Sequence, residues 1–353
     1  MYVYRPLSLD DLPAFVTLVG RADHGMTSLP KDRAILEQRI ASSCESLSRT
    51  DLPRWQSAYL FGLQDDDRSG LAGCSGIYGQ IGGDVPYFAY RLDSVRIGEA
   101  IDMPRDMRVL EVLELPHGPA MVGSLLLDPA TRGMGVGRFL SLARFMFMAD
   151  HRLRFEHRVI AELRGWLEED GGSRFWDALG RNFFRMDLPE ADLHTHTVRG
   201  FVQHLLPRDR IFVDLLPPAA QAVIGAVHPA TLPAMDILKD EGFSLTDWLD
   251  PFEAGPVLIA DVSAVRTVSS SRLLRVRAEG AGVGASTLAP RLAMVSNRKL
   301  QDFATVLVST ADPDGEHLTL APAAMRALGV DVGSEVRWCP LPPSRRGAQG
   351  AAS

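Results

Sequence analysis

Apolar residues fall into short runs separated by turn-forming clusters along most of this chain, and their period changes from run to run. Val3 and Tyr4 read as a first strand; Ser8 or Asp10 can cap the helix that follows, with Pro13 near its first turn. Residues 57–63 and the glycine-rich 71–83 read as successive strands, divided by an acidic turn at Asp65 to Asp67. Two more strands are expected over 107–115 and 120–127, the second ending in Leu125-Leu126-Leu127. A run apolar on both faces belongs in the middle of a sheet, covered from each side. Asp128-Pro129 then turns the chain into a glycine-rich loop. Beyond it Phe139, Leu142, Ala143, Met146 and Phe147 recur at helical spacing, with Arg138 and Arg144 on the other side of an amphipathic helix. A strand over 158–163 and a helix over 173–186 follow, and 218–227, 231–240 and the strand-like 257–262 continue an α/β alternation.

After about residue 265 the character changes. Short β-like pieces (RLLRVRA, ATVLVST, HLTL and EVRWCP) surround the glycine-rich 280–285 and one short helix over 322–328. This reads as a small β-rich module over 265–340, before a 341–353 tail whose Pro, Arg, Gly and Ala content favours disorder. One weak internal similarity links FWDALGRNFF (175–184) and AMDILKDEGF (234–243). Both read as amphipathic helix, glycine, aromatic, then strand, which allows a duplicated architecture.

Composition narrows the function classes. A chain of 353 residues, 46% hydrophobic and 23% charged, can bury a sizeable core. Its net charge of -7, with no strong basic run, argues against nucleic acid as a partner. No apolar stretch approaches the roughly 18 residues of a membrane span, and MYVYRPLSLDDLPAF carries no export signal. Cys44, Cys74 and Cys339 are far apart and odd in number, which fits ordinary thiols in a reducing cytoplasm. No metal is expected: His194-Thr195-His196 has no third ligand at useful spacing.

The most informative local pattern is Arg132-Gly133-Met134-Gly135-Val136-Gly137, between an apolar strand and a helix. Glycines let successive backbone N–H groups converge, and a helix N-terminus adds partial positive charge, so the place suits a pyrophosphate. A P-loop would need Gly-Lys-Ser/Thr, which is missing, and a Rossmann fingerprint would follow the first strand. The plain alternative is a glycine turn without a ligand. The pattern resembles the Gln/Arg-x-x-Gly-x-Gly/Ala acyl-CoA motif of the GNAT superfamily, with Arg132, Gly135 and Gly137 in its fixed places.

Further segments resemble the arginine N-succinyltransferases, in that family's order over about residues 1–275. They are Met26-Thr27-Ser28-Leu29-Pro30, Arg144-Phe145-Met146-Phe147-Met148, Ala161-Glu162-Leu163-Arg164-Gly165, Phe175-Trp176, and Phe183-Phe184-Arg185-Met186-Asp187 with Ala191-Asp192. Val227-His228-Pro229, Glu241-Gly242-Phe243 and Asp250-Pro251-Phe252-Glu253-Ala254-Gly255-Pro256 complete the series. His24-Gly25 stands where the family has a glycine pair, and Arg174 where it has Pro.

The resemblance implies an α/β (α+β) fold of the GNAT type, with an acyl-CoA-binding domain over 1–200 and an α/β continuation over 201–264. It implies succinyl transfer from succinyl-CoA to the α-amino group of L-arginine in arginine catabolism. No permanently bound cofactor is expected, and the chain should pair with itself or with a homologous subunit. His228 would be the proton donor, its backbone held extended by Pro229. Arg132, Gly133, Gly135, Val136 and Gly137 would hold the coenzyme pyrophosphate, and Leu125 would meet succinyl-CoA through its main chain. A guanidinium needs carboxylates, for which Glu162, Asp187, Asp192 and Glu253 are candidates; no cation for the succinyl carboxylate stands out. Ornithine as acceptor, and a non-catalytic acyl-CoA-binding subunit or sensor, are the alternative readings.

Overall fold

Strand β1 (Tyr2–Pro6) sits mid-sheet in the computed structural model, which describes residues 1–22, 29–65, 70–131, 135–278 and 291–342. Helices α1 (Leu12–Gly20) and α2 (Arg33–Ser48) follow, then β2 (Ala58–Asp65), β3 (Leu71–Tyr78), β4 (Gly82–Ile97), β5 (Arg105–His117) and β6 (Ala120–Leu127). Helix α3 (Val136–Asp150) leads to β7 (Arg158–Glu162), β8 (Ile211–Phe212), β9 (Ser244–Leu249) and β10 (Pro256–Asp261). The last part holds β11 (Arg272–Ala278), β12 (Arg291–Ser296), β13 (Thr305–Thr310), β14 (His317–Leu320) and β15 (Glu335–Pro340). These strands hydrogen-bond in the order β14-β11-β15-β12-β13-β1-β2-β3-β6-β7-β10-β9-β4-β5-β8. The β-rich C-terminal strands join this sheet through β13, which pairs antiparallel with β1.

The mixed α/β class and the central place of β6, flanked by β3 and β7, agree with the sequence pattern. The helix over 322–328 has those bounds (Pro322–Leu328). Other expectations need correction. The stretch 71–83 is not one strand, because β3 ends at Tyr78 and β4 begins at Gly82. Helix α3 is not amphipathic in the sense expected: Phe139 through Met148 are all buried, Arg144 among them at 2% exposure. The sheet covers one side of α3, and the helices Leu232–Asp240 and Arg266–Ser270 pack against it as well. The Arg144 guanidinium satisfies itself locally, on the Ser141 carbonyl (2.9 Å) and hydroxyl (2.9 Å).

The two segments behind the internal similarity fold differently. Residues 234–243 follow the expected course: helix, Gly242 at φ +97°, then β9. In 175–184 a π turn (Trp176–Gly180) runs into the helical turn Arg181–Phe184, and the helix Leu188–Thr197 comes next rather than a strand. Gly180 serves Trp176 packing there, since a Cβ on it would overlap the indole ring. Asp66 and Asp67, His24 to Ser28, Arg132 and Gly133, the stretch 280–285 and most of the tail lie outside the described residues.

Candidate active site

Strands β6 and β7 are parallel and pair only at Ala120↔Val159 and Met121↔Ile160. Beyond those residues they part, so the carboxyl half of β6 faces a gap in the sheet. The parting coincides with an irregularity on the other side of β6, where the register with β3 shifts between Cys74 and Gly76. Ser124 takes φ +52°, a left-handed conformation that re-aims the strand as a bulge does. Leu125 follows it, half-buried against the core around α3. Its main chain therefore lies on the stretch of β6 that has left β7.

The end of β6 delivers the chain to α3. Asp128 organises the turn, its carboxylate accepting from the Ala130 amide (3.0 Å) and from Arg21 (2.6 Å). Gly135 then caps α3 at φ +76°, a conformation that suits glycine. Phe139 N donates to Gly135 O at 3.0 Å, so the amides of Val136, Gly137 and Arg138 have no acceptor inside the helix. Val136 is buried, and Gly137 lies over Leu127, whose Cδ2 would be 3.3 Å from a Cβ there. Gly135, Val136 and Gly137 thus form the first turn of a 15-residue helix at the carboxyl end of β6. Arg132 and Gly133 precede it, outside the described residues.

His228 comes to the carboxyl end of the neighbouring parallel strand. Its backbone amide donates to Arg164 O at 3.0 Å, two residues past β7, and Val227 bridges to Gly165. Pro229 keeps His228 extended, at φ -59° and ψ 134°. The Ala230 amide donates to the imidazole Nδ1 at 3.2 Å, so a neutral ring carries its proton on Nε2. Leu125, the first turn of α3 and His228 are therefore grouped at one end of a parallel strand pair.

The acidic candidates divide. Asp187 is solvated and pairs with Arg181 on the surface, which removes it. Glu162, Asp192 and Glu253 are brought near one another, together with Asp250. Burial and the neighbouring Asp250 raise the Glu162 carboxyl, and burial raises Asp250 itself. Burial, then the Asp250 charge, pushes Asp192 up to about 7; the same causes push Glu253 up to about 8, against an opposing pull from Arg164. Glu162 is open to solvent yet surrounded by protein atoms, because it lines a cavity of about 240 Å³. The Tyr87 hydroxyl donates to its carboxylate.

Asp250 and Tyr87 were not among the sequence candidates. Asp250 did lie within the segment 250–256, but the residue that accepts the Phe252 and Glu253 amides (2.9 and 2.7 Å) looks in sequence like a turn-former. No signal marked Tyr87. Among the described residues, no group of three or more His, Cys, Asp or Glu could hold a metal ion, and no helix is long and apolar enough to cross a membrane.

Comparison with known proteins extends over almost the whole chain. The family model for the arginine N-succinyltransferase beta subunit matches residues 2–267, and that for the C-terminal domain of the same subunit matches 272–340. The arginine N-succinyltransferase of Enterobacter sp. (strain 638) is 36% identical over 350 residues, 99% of this chain and 100% of the relative. That of Escherichia coli O17:K52:H18 is 36% identical over 339 residues, 96% of this chain and 97% of the relative. Among solved structures, arginine/ornithine succinyltransferase subunit AI from Pseudomonas aeruginosa superposes with a TM-score of 0.86 at 31% identity, covering 97% of this chain and 99% of that one.

Proposed function

This chain belongs to the arginine N-succinyltransferase family, and on that premise we propose that it transfers the succinyl group of succinyl-CoA to the α-amino group of L-arginine. The observation that carries the reading is the parting of β6 from β7 beside the glycine-capped start of α3. An extended pantetheine can lie against the freed edge of β6 near Leu125. The diphosphate of the coenzyme then meets the amides of Gly135, Val136 and Gly137, which Arg132 and Gly133 precede in the sequence.

The chemistry follows from the neutral amine and the thioester. The α-ammonium first loses one proton to solvent, and its nitrogen attacks the succinyl carbonyl carbon. As the C–S bond breaks and the amide forms, the nitrogen's second proton is taken up at the His228 side while the ring passes its Nε2 proton to the departing sulfur, so the imidazole stays neutral throughout and CoA leaves as the thiol. The products are N2-succinylarginine and free CoA. A paired arrangement, with a second copy or a homologous subunit, fits a relative described as a subunit.

The test is direct: purified protein is given succinyl-CoA with arginine, ornithine or lysine, and thiol release is measured. Arginine-dependent release of one thiol per succinylarginine supports the reading. Succinyl-CoA consumption with ornithine alone, or none with any amine, rejects it.

A further inference from the structure

We propose that the cavity at the end of β7 receives the cationic side chain of the acceptor, with Glu162 and Asp250 as the carboxylates that take its guanidinium. This rests on the succinyl-transfer reading and adds to it the recognition of the acceptor. The cavity is walled by Tyr87 and Phe88 of β4, Glu162 of β7, Asp250 just past β9, and Phe201 and Gln203 of the short helix Phe201–Leu205. Carboxylates and aromatic faces together suit a planar, weakly hydrated cation, which takes paired hydrogen bonds at its edge and stacks on its face.

A second observation lies behind Asp250, at Glu253, which does not itself line the cavity. Glu253 is only 3% exposed; its Oε2 accepts from the Gly165 amide at 2.9 Å, while Oε1 is buried with no partner. Its carboxyl lies within electrostatic reach of Asp250 and Asp192, and Arg164 is the cation that faces it. Among the described groups that act on Glu253, Asp250 and Asp192 are acidic and Arg164 is the cation, and burial holds the carboxyl in its protonated form, so added positive charge beside Asp250 would be favoured. The aromatic rings of Tyr87, Phe88 and Phe201 beside Glu162 and Asp250 make a planar organic cation the fitting occupant.

The placement also fits. Glu162 is the last residue of β7, and His228 is anchored to the carbonyl of Arg164 two residues further on, so the acid pair and the histidine stand at the same end of that strand.

The test uses the full chain with Glu162→Gln and Asp250→Asn, and Asp187→Asn as a surface control. Both cavity variants should raise the KM for arginine roughly 10-fold or more, while the KM for succinyl-CoA stays as in the wild type. Glu162→Gln should also lose the preference for arginine over its uncharged ureido analogue. Equilibrium titration with arginine alone reads binding without turnover, and circular dichroism confirms that each variant folds. If the wild type transfers succinyl and both folded variants keep its arginine KM, this inference falls and the proposed function stands. If the wild type binds arginine, Glu162→Gln abolishes that binding, and no transfer occurs, the proposed function falls and the subsite stands.

Discussion

The amide of His228 is tied to the carbonyl of Arg164 at 3.0 Å, so a histidine far along the chain is fixed to the exit of β7. Its Nδ1 accepts from the Ala230 amide, so Nε2 is the nitrogen through which the proposed proton transfer would run. His228→Ala should lower kcat by roughly 100-fold or more, the usual range for a lost acid–base group, with the KM for succinyl-CoA little changed. Steady-state kinetics across pH checks this. A variant with near-normal turnover at every pH removes His228 from the mechanism.

Gly137 allows a cleaner test of the coenzyme site than Gly135. Gly135 sits at φ +76°, so any side chain there strains the backbone whether or not a ligand binds. Gly137 lies inside the first turn of α3, and a Cβ there would meet only Leu127 Cδ2, at 3.3 Å. Alanine is better than glycine by up to about 1 kcal/mol in a helix interior, while the Leu127 side chain must shift slightly to admit the methyl group, so Gly137→Ala should change the melting temperature little. It should nonetheless raise the KM for succinyl-CoA several-fold, because the methyl group intrudes where the diphosphate approaches the amides. Unchanged coenzyme affinity would place the diphosphate elsewhere.

The frame of the acid cluster depends on Gly255. A Cβ on Gly255 would overlap the Leu163 carbonyl oxygen and come within 2.7 Å of the Gly165 nitrogen. These are backbone atoms on β7's extension and cannot swing aside. Gly255→Ala should therefore destabilise the fold by about 2–3 kcal/mol, measured by urea denaturation. Stability equal to the wild type would mean that the two segments are packed less closely than described.

The parts of this architecture that could be read from sequence are those whose hydrophobic period is undiluted, such as β6 and α3. Helix α2 escaped because two of its five buried residues are serines: Ser43 and Ser46 sit beside Leu36, Ile40 and Leu47. Those hydroxyls accept from the β2 amides of Leu60 (2.8 Å) and Ala58 (3.0 Å), so polar residues do work that hydrophobic periodicity ignores. Arg144 misled in the opposite direction, since a charged residue on a helix is ordinarily taken for its wet face. For the candidate site, Gly135 to Gly137 stood out as a local motif, whereas His228 stood out only through the family resemblance of Val227-His228-Pro229. The pairing of Glu162 with Asp250 and Tyr87 was not, because it is assembled by β4, β7 and the turn after β9, which are adjacent only in the folded sheet.

The raised carboxyl groups of the acid cluster make stability depend on pH. Glu253 has its carboxyl raised from 4.5 to about 8, by burial first and by Asp250 second, with Asp192 adding and Arg164 opposing. The folded state then holds a proton that the unfolded chain releases near 4.5, so this contribution to stability is complete below that pH. It is lost as pH rises through about 8. The melting temperature of the ligand-free protein should fall across that window, and Glu253→Gln, which keeps an oxygen for the Gly165 amide, should flatten the fall. Arginine in the cavity supplies the charge that the ionised cluster lacks, so its stabilising effect should be larger at pH 8 than at pH 5.5. Thermal denaturation of wild type and Glu253→Gln, with and without arginine, measures all four quantities. A wild-type profile as flat as that of Glu253→Gln would show that the Glu253 carboxyl is ionised throughout, already balanced by Arg164. An arginine effect equal at both pH values would place the amino acid away from these carboxylates.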